Sequence, residues 1–254
     1  MAAYKTIDMD LATMNAQVKA ATGQTYPIAI TEYSLLASFA QIFYTTSFAS
    51  AIYAADILSY FNSRTDILMA NYWSLVGDSI FGTYWNWMPN PRPVYFVFLE
   101  LSTIIKSFSG TPLSVPFNIS STYTVNTPNI GFTSAATIIP FSGMVISSSS
   151  DDFAYLFLIN KDLNNSATVT IPVNDFNYLS LYQNVTVTTK EMYTDNPMTK
   201  WSDYDQPGPA ASINWTMPIS EIRPDLTSMT ITMRPHSIQS IKLAFGLKSN
   251  QGKL

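Results

Sequence analysis

The sequence predicts a mixed α/β unit followed by an all-β unit. Up to residue 107, segments with apolar residues at helical spacing alternate with short apolar runs, a pattern typical of parallel βαβ units. After residue 118, short alternating runs separated by turn residues indicate an antiparallel β-sandwich. We therefore predict an α/β unit at 1–107, a linker at 108–118, a sandwich at 119–246 and a polar tail at 247–254.

The first predicted element is an amphipathic helix over residues 6–21, in which Ile7, Leu11 and Val18 recur at helical spacing. Gly23 suits the end of this helix because glycine accepts the left-handed conformation there. Two apolar runs then read as strands buried on both faces, as in a parallel sheet. The remaining predicted elements of this unit are strands at 27–33 and 67–73 and helices at 46–62 and 93–107. Two strands cannot close a sheet, so we expect further strands to complete this unit.

The second unit contains eight candidate strands separated by turn signals. A short polar connection at 161–165 joins two of these strands as a hairpin. The candidate strands are 120–126, 134–147, 153–160, 165–173, 178–193, 210–217, 227–234 and 237–245.

The composition excludes several classes of function. Only 12% of the residues are charged, about half the usual share, and the net charge is −4. No cluster of lysine and arginine is present, which argues against a nucleic-acid or anionic-membrane partner. Cysteine is absent, so disulfides and thiolate metal sites are excluded. We predict no metal and no cofactor.

The polar residues are mostly uncharged, as expected of an extracellular or secreted protein. The first residues lack a basic start followed by an apolar block, so no signal peptide is recognised in this sequence. No run of about 18 apolar residues is present, so no membrane span is predicted. Four N-x-S/T sequons are candidate glycosylation sites: Asn118, Asn164, Asn184 and Asn214.

Four segments resemble glycosidases of clan A. Residues 26–33, Tyr-Pro-Ile-Ala-Ile-Thr-Glu-Tyr, resemble the nucleophile strand, in which a glutamate ends barrel strand seven. The resemblance is closest to the α-L-arabinofuranosidases of glycoside hydrolase family 51, with features of family 39 β-xylosidases. Residues 70–74 and 77–81 are similar to the strand-eight region of family 39. Residues 92–98 are similar to the start of the last barrel helix, and 234–238 to a Pro-His-Ser-Val strand that closes the family 51 sandwich.

This resemblance implies the C-terminal part of a TIM barrel, about strands 7–8 and helices 6–8, followed by an antiparallel β-sandwich. Glu32 would be the nucleophile of a retaining hydrolase, at the strand end where such barrels place catalytic groups. These families place the general acid/base at the end of strand four, which has no counterpart in this sequence. We therefore expect the isolated chain to be inactive. A separate chain or an N-terminal half would complete the barrel.

Aromatic and acidic residues near the two strand ends are candidate substrate-binding residues, because aromatic faces stack on sugars. They are Tyr33, Tyr72, Trp73, Asp78, Trp85 and Trp87. Core packing is the alternative for the aromatic residues, and capping of a turn is the alternative for Asp78. Three other carboxylates are predicted on solvated helix faces or helix ends: Asp56, Asp66 and Glu100. The single histidine, His236, lies in a sandwich strand and is predicted to be structural.

Two functions remain open. The first is a retaining glycoside hydrolase of the α-L-arabinofuranosidase or β-xylosidase type, acting on oligosaccharides or polysaccharides in carbohydrate catabolism. The second is a non-catalytic extracellular module, derived from a hydrolase, that binds glycans or has a structural role. The glutamate of the Thr-Glu-Tyr segment favours the first, and the missing acid/base favours the second.

Overall fold

A computed structural model describes ten ranges of the chain: 3–34, 47–73, 91–117, 119, 123–127, 135–172, 182–194, 214–215, 219–224 and 228–247. The helices within these ranges are α1 (Ala3–Thr22), α2 (Phe48–Asn62) and α3 (Pro93–Ser107). The first two strands are β1 (Ile28–Tyr33) and β2 (Ile67–Tyr72). All five elements lie within three residues of their predicted positions. No helix in the described ranges is long and apolar enough to cross a membrane.

Local sequence signals set the helix ends. Gly23, at φ 75°, donates its backbone N–H to the Lys19 carbonyl at 2.8 Å and ends α1. Pro93 occupies the first position of α3, where its missing N–H has no helical partner to lose. Residue Phe108 is extended and ends that helix.

Strands β1 and β2 pair in parallel across α2 and form the predicted βαβ unit. Ile28 lies opposite Ile67, and Tyr33 lies opposite Tyr72. Within the described residues this sheet has only these two strands, so closure into an eight-stranded barrel is not observed there.

The remaining strands are antiparallel. Their bounds, in chain order, are β3 Leu113–Pro116, β4 Val125–Thr127, β5 Ala136–Ile138, β6 Phe141–Ser147, β7 Phe153–Asn160, β8 Ala167–Pro172, β9 Tyr182–Tyr193, β10 Asn214–Trp215, β11 Ile219–Pro224, β12 Ser228–Met233 and β13 Ser237–Leu247. A seven-stranded sheet has the order β10-β9-β13-β7-β6-β3, and β11 also pairs with β9. Strands β8 and β12 form a second sheet, and β4 and β5 form a third.

The seven-stranded sheet buries both of its faces. On one face, residues such as Phe157 and Ile238 pack against α2 and α3 through Phe48 and Val97. The other face packs against the β8–β12 sheet, with Leu156, Ile241, Leu243, Ile171, Met229 and Met233 in one core. Two antiparallel sheets around one core is the arrangement predicted for the β-rich half. The same core residues show that the helices and the sheet are packed together.

Three details differ from the expected strands. The predicted linker at 108–118 contains β3, which pairs with β6 at the edge of the large sheet. The predicted strand 134–147 is two strands, because Pro140 between β5 and β6 has no N–H for a ladder hydrogen bond. Strand β11 lies between two predicted strands and was not expected. The predicted tail lies outside the described residues from 248 onward.

Candidate functional site

The C-terminal ends of β1 and β2 lie side by side. The backbone N–H of Trp73 donates to the Tyr33 carbonyl at 3.0 Å and continues the pairing beyond β2. Parallel pairing puts both carboxyl ends at the same edge of the sheet. Four of the predicted site residues, Glu32, Tyr33, Tyr72 and Trp73, therefore lie at this edge.

Glu32 and Tyr33 belong to opposite faces of the sheet. Ile28 and Tyr33 are buried, whereas Glu32 is exposed. The pairing is irregular between Ile30 and Tyr33, which turns Tyr33 towards the face that Ile28 and Ile30 also occupy. Because neighbouring strand residues point to opposite faces, the carboxylate of Glu32 is directed away from the helices.

Tyr33 and Tyr72 pack as aromatic core residues above α2 and α3. The Tyr33 ring meets Phe61 edge-on at a centroid distance of 5.1 Å and Tyr72 edge-on at 5.3 Å. Tyr72 in turn contacts Phe98 at 5.1 Å. Edge-to-face pairs of this kind fix the two strand ends relative to the helices. This packing supports the core-packing alternative for both tyrosines.

Three buried tyrosine hydroxyls stay protonated at neutral pH. Burial raises the pKa of Tyr53 to about 12, and it also raises the pKa of Tyr33 and of Tyr72. The Tyr53 hydroxyl donates to the Ser34 carbonyl at 3.4 Å, and the Tyr72 hydroxyl is hydrogen-bonded to the Ser34 side chain. Among the described residues the buried hydroxyl of Tyr33 has no hydrogen-bond partner.

Tyr33→Phe is therefore expected to raise the free energy of unfolding by about 1 kcal/mol, because it removes an unsatisfied buried hydroxyl. Tyr72→Phe is the matched control: it loses a hydrogen bond and is expected to lower that free energy by about 1 kcal/mol. Urea denaturation of the two variants measures both effects. Equal destabilisation by the two substitutions would contradict this description of the Tyr33 hydroxyl.

The face of the sheet that carries Glu32 is apolar and open. Leu68 is 72% exposed, Met69 47% and Trp73 50%. Parallel sheets are usually covered on both faces, and apolar residues of this size are rarely left uncovered on one sheet face. Glu32 is thus a carboxylate at the end of an apolar surface that a ligand or further strands would cover.

The other predicted site residues either lie outside the described ranges or lie in the β-rich half of the chain. Asp78, Trp85, Trp87 and the sequon residue Asn118 lie outside the described residues. Asn164 is exposed on the turn between β7 and β8, whereas Asn184 and Asn214 lie within the paired strands β9 and β10. No group of three His, Asp or Glu side chains in the described ranges is placed to hold a metal ion.

Two carboxylates predicted to face solvent are buried, and those expectations were wrong. Asp56 accepts hydrogen bonds from Lys161 Nζ at 2.8 Å and Ser142 Oγ at 2.7 Å. Glu100 pairs with Lys190 and accepts from Ser240 Oγ at 2.6 Å. Both join a helix to the large sheet. The helical pattern contained the signal: each of the two carboxylates lies four residues from a buried isoleucine, Ile52 or Ile104, on the same helix face.

Asp66 is only partly buried, at the start of β2. Arg64 contacts both of its oxygens, at 2.8 Å and 2.6 Å, and holds the pKa of this carboxylate below its usual range. The same guanidinium reaches Asp8 at 2.6 Å, and Asn15 donates to Asp66 at 3.1 Å. This network fastens α1 to the βαβ unit, at the end of the sheet opposite Glu32.

No protein-family model matches this sequence, and no curated protein sequence matches it. Solved structures do match the fold. A family 51 α-L-arabinofuranosidase from Bifidobacterium longum is 14% identical with a TM-score of 0.67, over 95% of this chain and 47% of that one. The family 51 enzyme from Thermotoga petrophila RKU-1 is 17% identical with a TM-score of 0.59, over 85% and 43%. A monomeric β-xylosidase from Caulobacter crescentus CB15 is 12% identical with a TM-score of 0.56, over 94% and 49%.

This chain therefore spans less than half the length of each of these structures. At these identities the likeness concerns the fold. It confirms the resemblance found in the sequence: most of the chain has the fold seen in part of the family 51 α-L-arabinofuranosidases and of related glycoside hydrolases.

Proposed function

We propose that this chain is the C-terminal part of a retaining glycoside hydrolase of the α-L-arabinofuranosidase or β-xylosidase type, with Glu32 as its nucleophile. The observation that carries the proposal is the position of Glu32. It is exposed at the C-terminal end of a parallel strand, at the same edge of the sheet as the half-exposed Trp73. This strand end is where (β/α)8 barrels place their catalytic groups.

The proposed chemistry needs two carboxyl groups. In a retaining mechanism Glu32 attacks the anomeric carbon and forms a glycosyl ester while the leaving-group oxygen is protonated. Water then hydrolyses the ester with the second carboxyl acting as base, about 5–5.5 Å from the first. No other described carboxylate accompanies Glu32 on the open face: Asp56 and Glu100 are buried against the large sheet, and Asp66 lies at the opposite end of β2.

Trp73 is the described residue best placed to contact the sugar, because its ring is half exposed at the same strand end as Glu32. Tyr33 and Tyr72 would support the strand ends from below rather than touch substrate. Asp78, Trp85 and Trp87 follow β2 in the sequence and remain proposed substrate contacts. The proposed substrates are oligosaccharides or polysaccharides that contain arabinofuranose or xylose.

The proposal includes six further strands that close a TIM barrel around Glu32. They would pair with the outer edges of β1 and β2 and cover Leu68 and Met69. Their source is either a separate chain or an N-terminal half of the same polypeptide. The second carboxyl would come from these strands.

A fluorinated glycoside tests the proposal, because it slows hydrolysis of the glycosyl ester and traps it on the nucleophile. Aryl 2-fluoro-arabinofuranosides and 2-fluoro-xylosides should label the completed enzyme, with the mass shift on the peptide that contains Glu32. This chain alone should show neither labelling nor turnover. A label on any other carboxylate would remove Glu32 from the nucleophile position.

A second candidate function rests on the lack of a described partner carboxylate for Glu32. The chain would then be a non-catalytic extracellular module that binds glycans through the open face. Titration with arabinoxylan oligosaccharides distinguishes the two: this module would bind them in the absence of any barrel-completing partner, and Trp73→Ala would abolish the binding.

We also propose an extracellular location with glycosylation at Asn164, which among the described sequon residues is the one on an exposed turn. When the chain is expressed through a eukaryotic secretory pathway, it should carry an additional mass that an endoglycosidase removes. The Asn164→Gln variant should lack this mass. The Asn184→Gln control, in a paired strand, should leave that mass unchanged. An unchanged mass in Asn164→Gln would refute the assignment.

A further inference from the structure

A groove of about 410 Å³ lies between the C-terminal halves of α2 and α3. Its base is formed by Met144 and Ile146, which are buried residues of β6 in the large sheet. On the α3 side the lining residues recur at helical spacing and share one face of the helix. They are Phe98, Leu101, Ser102, Ile105 and Lys106. The groove is open to solvent, since Ile105 in its wall is 50% exposed.

The groove is separate from the strand end that carries Glu32. On the α2 side it is lined by Leu58 and Asn62, near the end of a helix that leads into the start of β2. Glu32 lies instead at the C-terminal end of β1, which pairs in parallel with β2. No described residue that lines the groove belongs to either strand. A ligand of the groove is therefore defined by the chemistry of the groove itself.

The lining is apolar apart from four side chains that can donate hydrogen bonds: Asn62, Ser102, Lys106 and Ser114. Within the described ranges, the side chains of Ser102, Lys106 and Ser114 form no hydrogen bond or ion pair. The Asn62 amide reaches the sulfur of Met144 at 3.9 Å, and a thioether is a weak acceptor. No acidic side chain is among the described lining residues. The groove thus offers a positive charge and donors beside an apolar surface.

We propose that this groove binds a single-chain fatty acid of medium length, with its carboxylate at Lys106 and its chain along α3. A carboxylate accepts hydrogen bonds from an ammonium group and from hydroxyls, and charge strengthens such bonds. The alkyl chain would cover the apolar wall formed by Ile105, Leu101 and Phe98. Met144 at the base adapts its shape to an apolar ligand, because its side chain is unbranched and flexible.

The size of the groove selects one chain rather than a membrane lipid. From Phe98 to Lys106 the helix rises by about 12 Å, at 1.5 Å per residue. A cavity of about 150 Å³ holds one benzene molecule, so this groove holds a chain of roughly ten carbons but not two long acyl chains. The chain also lacks the cluster of basic residues that anionic membrane surfaces attract.

Calorimetric titration of the full chain with decanoate, below its micelle concentration, tests the proposal. One decanoate should bind per chain, saturably, with a Kd below about 1 mM. Decyltrimethylammonium has the same alkyl chain and the opposite charge, and it should bind at least about tenfold more weakly. Equal binding of the two amphiphiles, or no saturable binding of decanoate, would overturn the proposal. Sedimentation with phosphatidylglycerol vesicles in place of decanoate binding would also overturn it, in favour of a membrane surface.

A charge-removing variant tests the role of Lys106. Lys106→Met keeps most of the apolar stem, and it should weaken decanoate binding about tenfold while leaving the affinity for uncharged decanol unchanged. Lys19→Met is the matched control, since Lys19 is exposed in the last turn of α1 and should not affect either ligand. Undiminished decanoate binding by Lys106→Met would refute the assignment of the carboxylate.

A space-filling variant tests the location of the alkyl chain. Ser102→Phe places a ring in the groove and should abolish binding of both decanoate and decanol. Thr103→Phe is the control, because it adds the same ring at the next, exposed position of α3, which does not line the groove. Normal binding by Ser102→Phe would show that the ligand lies elsewhere. Should this variant not fold, the comparison of decanoate with decyltrimethylammonium on the unaltered chain still decides.

Discussion

Glu32→Gln is expected to lower kcat for aryl arabinofuranosides or aryl xylosides by several orders of magnitude in the completed enzyme, while the fold is retained. The amide is the same size as the carboxylate but cannot form the glycosyl ester on which a retaining mechanism depends. Glu32 is exposed and outside the apolar cores, so the substitution should leave the melting temperature unchanged. Stopped assays with activated aryl glycosides measure the loss.

Azide provides the internal check on this result. In the truncated variant Glu32→Ala, a small anion that enters the space of the lost carboxylate should restore part of the turnover and yield a glycosyl azide of inverted configuration. Asp10→Asn is the matched control, since it makes the same carboxylate-to-amide change on the exposed surface of α1 and should not alter kcat. Near-normal turnover by Glu32→Gln would exclude Glu32 as the nucleophile.

Local sequence signals were sufficient to predict β1, which carries Glu32, and its neighbours β2 and α3. The α3 bounds follow from a proline at its first turn, and β1 and β2 follow from apolar runs between helices. The switch to antiparallel strands near residue 110 was also visible as a change of period. These features depend on residues close in sequence, so periodicity and turn chemistry predict them.

The sequence could not predict the features that depend on distant partners. Strand β3 forms because β6 offers a free edge about thirty residues later, and its own four residues carry little strand signal. Burial of Asp56 depends on its hydrogen bonds with Ser142, which lies in β6, and with Lys161, which directly follows β7. The outward direction of Glu32 depends on the irregularity before Tyr33, which pairing with β2 reveals.

Helix α2 packs between the candidate site and the large sheet. Helix α2 contacts Tyr33 on one side through Phe61 and the large sheet on the other through Phe48 and Ile52. The strand end that carries Glu32 is thus held by a helix that the sheet positions. We infer that the β-rich half supports the site through α2, without contributing a described side chain to it.

Lys161→Met is expected to lower the free energy of unfolding by about 3–5 kcal/mol, because it leaves the Asp56 carboxylate buried without its cation. The Lys161 and Asp56 side chains are 2% and 9% exposed, and their charged atoms are 2.8 Å apart. After the substitution, the Ser142 hydroxyl remains as a described donor to Asp56. Urea denaturation followed by circular dichroism measures the effect. Because the pair links α2 to the sheet, the helix and sheet signals should be lost together, at a lower urea concentration than in the natural chain.

Two comparisons separate the buried charge from simple loss of packing. Lys190→Met breaks the equivalent bridge from the sheet to Glu100 in α3, but Lys190 is 39% exposed and Ser240 still donates to Glu100, so the loss should be about 1 kcal/mol. The double variant Asp56→Leu with Lys161→Met removes both charges and should recover most of the stability lost by Lys161→Met alone, because no unpaired ion remains in the interior. If the double variant is less stable than the single one, the pair itself, rather than the stranded carboxylate, stabilises the joint between helix and sheet.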